Sequence, residues 1–121
     1  MIRASVIIPV YNAAARVGNC LKALQHQTFP ADQFEVIVVN DGSTANTLEF
    51  LRYWPLTVVS LPHGGPARAR NAGAARARGA ILVFTDADCE PRENWLEKML
   101  APFDDPEVVA VKGAYLTRQT S

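Results

Sequence analysis

The sequence predicts an α/β protein, with one open, mostly parallel sheet and helices on both faces. Three observations carry that prediction. Short apolar runs alternate with segments of helical periodicity in the order βαβαβαβαβ, the pattern of strands joined by crossover helices. The connections between them are short, which suits one sheet rather than separate units. The run Ala80-Ile81-Leu82-Val83-Phe84 ends abruptly in Thr85-Asp86-Ala87-Asp88. An almost continuous apolar run reads as a parallel strand buried on both faces, and carboxylates cannot follow it into a core. They belong where the strand emerges, at its carboxyl end.

Ala4 to Val10 is the first strand, with Pro9 near its end, where a missing N–H matters least. Tyr11-Asn12 follow as a loop. Val17, Cys20, Leu21 and Leu24 then repeat at i, i+3, i+4 and i+7, an amphipathic helix that stops before Thr28-Phe29-Pro30. Phe34 to Val39 is a second buried strand, broken by Asn40-Asp41-Gly42-Ser43-Thr44. Ser43 or Thr44 is suited to cap the next helix, which runs through Leu48 and Leu51 to about Tyr53, before Pro55.

Leu56 to Leu61 is a short third strand. After the turn Pro62-His63-Gly64-Gly65, Pro66 fits the first position of a helix reaching about Arg78, with Gly79 as its C-cap. The strand that ends in the acid pair follows. Pro91 and Glu93 begin a fourth helix with Trp95, Leu96, Met99, Leu100 and Phe103 on its apolar side, and Val108 to Leu116 is a last extended segment.

The chain has 121 residues, one domain by length, with 49% hydrophobic and 20% charged residues. A formal net charge of zero gives no electrostatic reason to expect nucleic acid as a partner. No apolar run reaches the ~18 residues of a membrane span. Two cysteines, Cys20 and Cys89, imply neither a disulfide framework nor a zinc site. The expectation is a cytoplasmic setting, with membrane association left open for a longer parent protein.

Alternation places four loops on one edge of the sheet, after Val10, Val39, Leu61 and Phe84. Open α/β sheets bind ligands at that carboxyl edge. The loops bring Tyr11 and Asn12, then Asp41-Gly42-Ser43, then Gly64-Gly65 with the start of an arginine-bearing helix, then Asp86 and Asp88. Two carboxylates at i and i+2 point to one side of an extended chain. As hard oxygen donors they suit Mg²⁺ or Mn²⁺ bridging to phosphate. Alone, each feature has a plainer reading. Asp-x-Asp fits a solvated turn, and Asp41 before Gly42 fits a turn residue. Arg68, Arg76 and Arg78 decorate a solvated face, whereas Arg70 can offer a charge-assisted fork near the acid pair. His63 reads as incidental. Convergence on one edge is what favours a site.

These residues resemble the family 2 glycosyltransferases, whose nucleotide-binding fold is called GT-A and is related to the Rossmann fold. The matching pieces are Ser5-Val-Ile-Ile-Pro-Val-Tyr-Asn12, Val39-Asn-Asp-Gly-Ser-Thr44, Ala69-Arg-Asn-Ala-Gly73 and Phe84-Thr-Asp-Ala-Asp88, in the family's order and spacing. The resemblance implies that Pro9, Tyr11 and Asp41 hold a uridine and that Arg70 positions the nucleotide. It further implies that Asp86 faces ribose or metal and that Asp88, completing the DxD motif, ligates Mn²⁺ or Mg²⁺. The implied reaction is inverting transfer of a sugar from a nucleotide diphosphate donor, a UDP-sugar, to the hydroxyl of an acceptor that the resemblance does not identify.

Two departures stand out. Asn40 takes a position where many relatives carry an acid, with Asp41 retained beside it. In the family, the general base and most of the acceptor pocket lie beyond the acid pair, in a region longer than the tail present here. Glu90, Glu93 and Glu107 occupy loop or helix-start contexts rather than that of a base. The expectation is therefore a donor-binding part spanning residues 1–121, incomplete at the C-terminus, with the base downstream. An exposed apolar face, on the last strand or the fourth helix, is expected where the rest would dock or copies would associate.

One alternative is a non-catalytic nucleotide-sugar-binding module. Another is a phosphohydrolase of the haloacid dehalogenase class, whose strand also ends in Asp-x-Asp. That class wants Thr or Val where Glu90 stands, and its acid pair follows the first strand. A dinucleotide-binding Rossmann domain fails because no Gly-x-Gly-x-x-Gly follows the first strand.

Overall fold

β-branched residues dominate the first two apolar runs, and these form the centre of the sheet. The computed structural model describes residues 1–43 and 45–105. Its strands are β1 (Ala4–Val10), β2 (Phe34–Asp41), β3 (Thr57–Leu61) and β4 (Ile81–Phe84). All neighbours are parallel, in the order β3-β2-β1-β4. Helices α1 (Ala14–Gln25), α2 (Ala45–Leu51), α3 (Pro66–Arg76) and α4 (Trp95–Leu100) alternate with them. Short 3-10 turns occupy Ala31–Gln33 and Ala101–Asp104.

From β1 to β3 the chain steps one way across the sheet, then returns over β2 and β1 to place β4. A right-handed crossover that reverses direction puts its helix on the opposite face. The burial pattern follows. Val6, Ile8, Val10, Val38 and Val83 pack under α1, α2 and α4, while Ile7, Ile37 and Val39 meet Ala69 of α3. The helical stripe Val17, Cys20, Leu21 and Leu24 is buried as its spacing predicts. In α2, Thr47 faces the core and Leu48 is exposed.

Helices thus cover both faces, but unevenly, and this corrects one expectation. Among the described residues β4 is an edge strand, and α3 packs on β2, β1 and β3. The outward face of β4 is left uncovered, with Leu82 40% and Phe84 42% exposed. β4 is apolar on both sides but buried on one. The exposed apolar face expected on the fourth helix is not there, since Trp95, Leu96 and Leu100 are buried. The expected last strand, Val108 to Leu116, lies outside the described residues.

Three local expectations also change. α3 ends at Arg76, with Ala77 already extended, so Gly79 is not its cap. A Cβ on Gly79 would lie 2.6 Å from the Ala4 backbone, so the residue serves a close approach of the loop to β1. α4 begins at Trp95 rather than near Pro91. The Glu93 carbonyl accepts the Thr28 amide at 2.7 Å, which takes it out of a helical ladder, and Gln27 Oε1 accepts the Leu96 amide at 2.9 Å. The Ser43 hydroxyl ties two loops together, as described below; Thr44 lies outside the described residues. No helix among the described residues is long and apolar enough to cross a membrane.

Candidate functional site

The reversal of strand order opens a crevice at the carboxyl ends of β1 and β4, with the ends of β2 and β3 beside it. Every sequence-predicted site residue lies along this edge, in two groups. The first gathers around Asp41, the last residue of β2. The second gathers around the acid pair after β4.

In the first group, Asn40 closes the β2 turn by accepting the Ser43 amide on Oδ1 at 3.0 Å. An amide side chain just before Asp41 thus closes the turn. The Ser43 hydroxyl donates to the Val10 carbonyl at 3.2 Å and accepts the Asn12 amide at 2.8 Å. The loops after β1 and β2 are pinned to each other, and Tyr11 is presented between the two anchors, 49% exposed. Pro9 is half-buried, paired in register with Val39.

The Asp41 side chain is only 4% exposed. Its Oδ1 accepts the Gly64 amide at 2.9 Å and its Oδ2 the Gly65 amide at 3.0 Å. His63 Nδ1 lies 3.1 Å from Oδ2. Burial pushes the Asp41 carboxyl up, but the two amide hydrogen bonds and the adjacent His63 outweigh it and hold the group below the ordinary carboxylate range. Gly42, at φ 75°, makes this approach possible, because a Cβ there would meet the His63 backbone nitrogen at 2.6 Å. His63 also stacks on Tyr11, with ring centroids 4.1 Å apart and planes inclined by 28°. In the sequence, His63 is only a weak candidate, a lone loop histidine. Its only sequence signal is its position, just before a glycine pair in a carboxyl-edge loop.

In the second group, the Thr85 amide donates to the Ile7 carbonyl at 3.2 Å and carries the β4–β1 pairing to the start of the acid loop. Burial then alternates. Thr85, Ala87 and Cys89 are buried, while Asp86 is exposed and Asp88 half-buried; the Cys89 amide donates to the Asp86 carbonyl at 3.1 Å, so the acid pair lies on a turn rather than on the extended chain the sequence predicts. The Asp86 and Asp88 carboxylates and the Cys89 thiol bring one potential ligand atom each to within 4.8 Å of one another. The oxygen donors fit a hard divalent cation; a soft thiol does not suit Mg²⁺ or Mn²⁺. The other cysteine, Cys20, is buried in α1. Burial, and then Cys89 and the nearby carboxylates, push the Cys20 thiol up to about 12. Beside the acid pair, Arg70 and Asn71 of α3 share a cleft with Phe84, Thr85 and Asp86. The Thr85 hydroxyl is buried there with no hydrogen-bond partner among the described residues.

A parallel α/β sheet whose carboxyl edge bears a buried carboxylate at one end, and an acid pair beside an arginine at the other, places this chain among the open α/β proteins with polar groups gathered at the strands' carboxyl ends. The chain belongs to glycosyl transferase family 2, whose pattern it matches over residues 5–121. It is 39% identical over 115 residues to glycosyltransferase AglE of Haloferax volcanii, covering 90% of this chain and 38% of that protein. Two solved structures share the fold. Staphylococcus aureus TarS, residues 1–349, in complex with UDP superposes with a TM-score of 0.79 at 29% identity, over 97% of this chain and 38% of that one. The mannosyltransferase PcManGT of Pyrobaculum calidifontis in complex with GDP-Man and Mn²⁺ gives 0.78 at 33% identity, over 88% of this chain and 33% of that one. The GT-A-like fold is thus the observed one. The chain spans less than two fifths of the length of these relatives.

Proposed function

We propose that residues 1–121 form the donor-binding part of an inverting glycosyltransferase, holding a UDP-sugar along the carboxyl edge of the sheet. Asp41 accepts a base N–H, Tyr11 offers its exposed ring to the base, and Pro9 shapes the end of β1 beneath them. Arg70 sets a guanidinium beside the cleft where the diphosphate lies, and Asp86 and Asp88 hold Mn²⁺ or Mg²⁺. Bound there, the cation neutralises charge on the departing diphosphate. The observation that carries this reading is the grouping of Tyr11, Asp41 and His63 at one end of the edge and Arg70, Asp86 and Asp88 at the other. A nucleoside diphosphate needs such a pairing, an N–H acceptor for the base and cationic groups for the phosphates.

The acceptor pocket and general base are assigned to the part of the relatives' length that this chain does not span. The isolated chain is therefore expected to bind donor and not to transfer. Calorimetry with UDP, with and without Mn²⁺, tests the nucleotide reading; heat of binding is expected with metal, and none in either condition overturns it. An assay of transfer and donor hydrolysis tests the second part, which robust transfer by the isolated chain would refute.

A further inference from the structure

We propose that His63 sets the nucleobase preference of this site. By occupying an acceptor position on Asp41, it leaves the carboxylate suited to a base with a single N–H, uracil, over one with an N–H pair, guanine. The inference rests on the nucleotide reading above and deepens it.

An ionised carboxylate offers about four lone-pair positions, two on each oxygen. The Gly64 amide fills one on Asp41 Oδ1 at 2.9 Å, and the Gly65 amide fills one on Oδ2 at 3.0 Å. His63 Nδ1 lies 3.1 Å from Oδ2 and 3.2 Å from the Asp41 backbone carbonyl oxygen. Both neighbours only accept, so Nδ1 carries a hydrogen and donates it, and this fixes the tautomer if the ring is neutral. Oδ2 is then full. One lone pair on Oδ1 remains for a base.

Two features hold His63 to this task. The stack on Tyr11 fixes the plane of the ring, and the bare Cα of Gly42 lets the His63 backbone approach β2. The same stack links the histidine to the residue offered to the base, so hydrogen-bond reading and stacking are set by one unit.

Uracil presents one N–H between two carbonyls, and a single lone pair satisfies it. Guanine presents N1–H and N2–H side by side and uses both oxygens of a carboxylate. With Oδ2 already approached by the Gly65 amide and His63 Nδ1, its second N–H competes with His63 for its partner. A hydrogen bond to a charged acceptor is worth on the order of tenfold or more in affinity.

The test is calorimetric titration of the 121-residue chain with UDP and with GDP in Mn²⁺, comparing wild type, His63→Phe and His63→Ala. The phenylalanine keeps a ring against Tyr11 and removes the donor; the alanine removes both. Wild type is expected to prefer UDP by roughly tenfold or more. In both variants the preference is expected to narrow by about the same factor, chiefly through tighter GDP binding. Retained UDP binding reports that the variants are folded. Equal affinity of wild type for the two nucleotides, or an unchanged ratio in both variants, overturns the role of His63 while leaving the nucleotide site in place. Failure of wild type to bind either nucleotide overturns the site reading, and this inference with it.

Discussion

The Ser5 hydroxyl donates to Glu35 Oε2 at 2.6 Å, joining β1 to β2 at the edge of the sheet opposite the acid pair. The same carboxylate oxygen accepts the Arg78 amide at 2.7 Å, and Oε1 accepts Arg78 Nε at 3.1 Å. Ser5 Oγ in turn accepts the Gly79 amide at 2.9 Å. The turn after α3 is thereby fastened to the central strands, which fixes where β4 begins. Burial pushes the Glu35 carboxyl up, but the Ser5 hydroxyl and the Arg78 amide and guanidinium outweigh it and leave the group below its usual range. A carboxyl held lower when folded contributes stability that is fully present above its unfolded value, about 4.3. That stability disappears as pH falls through the folded value. Glu35→Gln is expected to cost about 2 kcal/mol at neutral pH and to flatten the acid limb of the stability curve. Urea melts between pH 7 and pH 3 measure both.

Asp41→Asn tests the opposite edge. An asparagine has one acceptor oxygen, so the Gly64 and Gly65 amides cannot both be satisfied as they now are. The expected cost is about 1–3 kcal/mol of stability, with UDP affinity falling by on the order of tenfold or more. Thermal melts and calorimetry separate the two effects. An Asn variant that binds UDP like wild type would count against Asp41 as the base acceptor.

Asp88→Ala removes one of the paired oxygen donors. Its UDP affinity is expected to be the same with Mn²⁺ as with a chelator, and close to that of the wild type with chelator. A persistent Mn²⁺ effect in this variant would point to Asp86 alone as the ligand.

Thr85 carries a buried hydroxyl with no partner among the described residues. Leaving such a group unsatisfied costs about 1–3 kcal/mol, so Thr85→Val is expected to stabilise the free protein by about 1 kcal/mol. If the hydroxyl meets a ligand, the gain will shrink when UDP and Mn²⁺ are present. Melting curves with and without nucleotide show both.

Leu82 and Phe84 form the exposed face of β4. Replacing them together, Leu82→Lys with Phe84→Thr, is expected to reduce self-association of the isolated chain in light scattering. The change in stability should stay within about 0.5 kcal/mol for each site, because neither side chain is buried. Unchanged scattering would show that copies do not meet through this face.

Much of the fold could be read from the chain because parallel strands announce themselves as apolar runs. The bounds of β1 and β4 match those runs, and the acid pair sits where a charge has to leave the core. What could not be read depends on partners distant in sequence. Leu82 looks like a core residue until the order of the described strands leaves β4 at an edge and α3 stops short of it. Gly79 looks like a helix cap until the Ala4 backbone is seen against it. His63 had no periodicity, motif or charge pattern to mark it, because its relation to Asp41 and Tyr11 exists only once three strand ends are brought side by side. Asp41 was legible as a candidate site residue, but its two amide partners were not.

The all-parallel sheet has a consequence for how the sequence can change. Its amino edge is closed by the chain's own side chains, with Ser5, Glu35 and Arg78 spending their hydrogen bonds on one another. Its carboxyl edge carries carboxylates set at the ends of β2 and β4, with an arginine from α3 beside them. Substitutions that retune ligand choice can therefore accumulate in the loops after β1 to β4 without disturbing the fastenings that hold the strands in register. A protein engineer could vary the residues at one rim while leaving folding to be governed from the other.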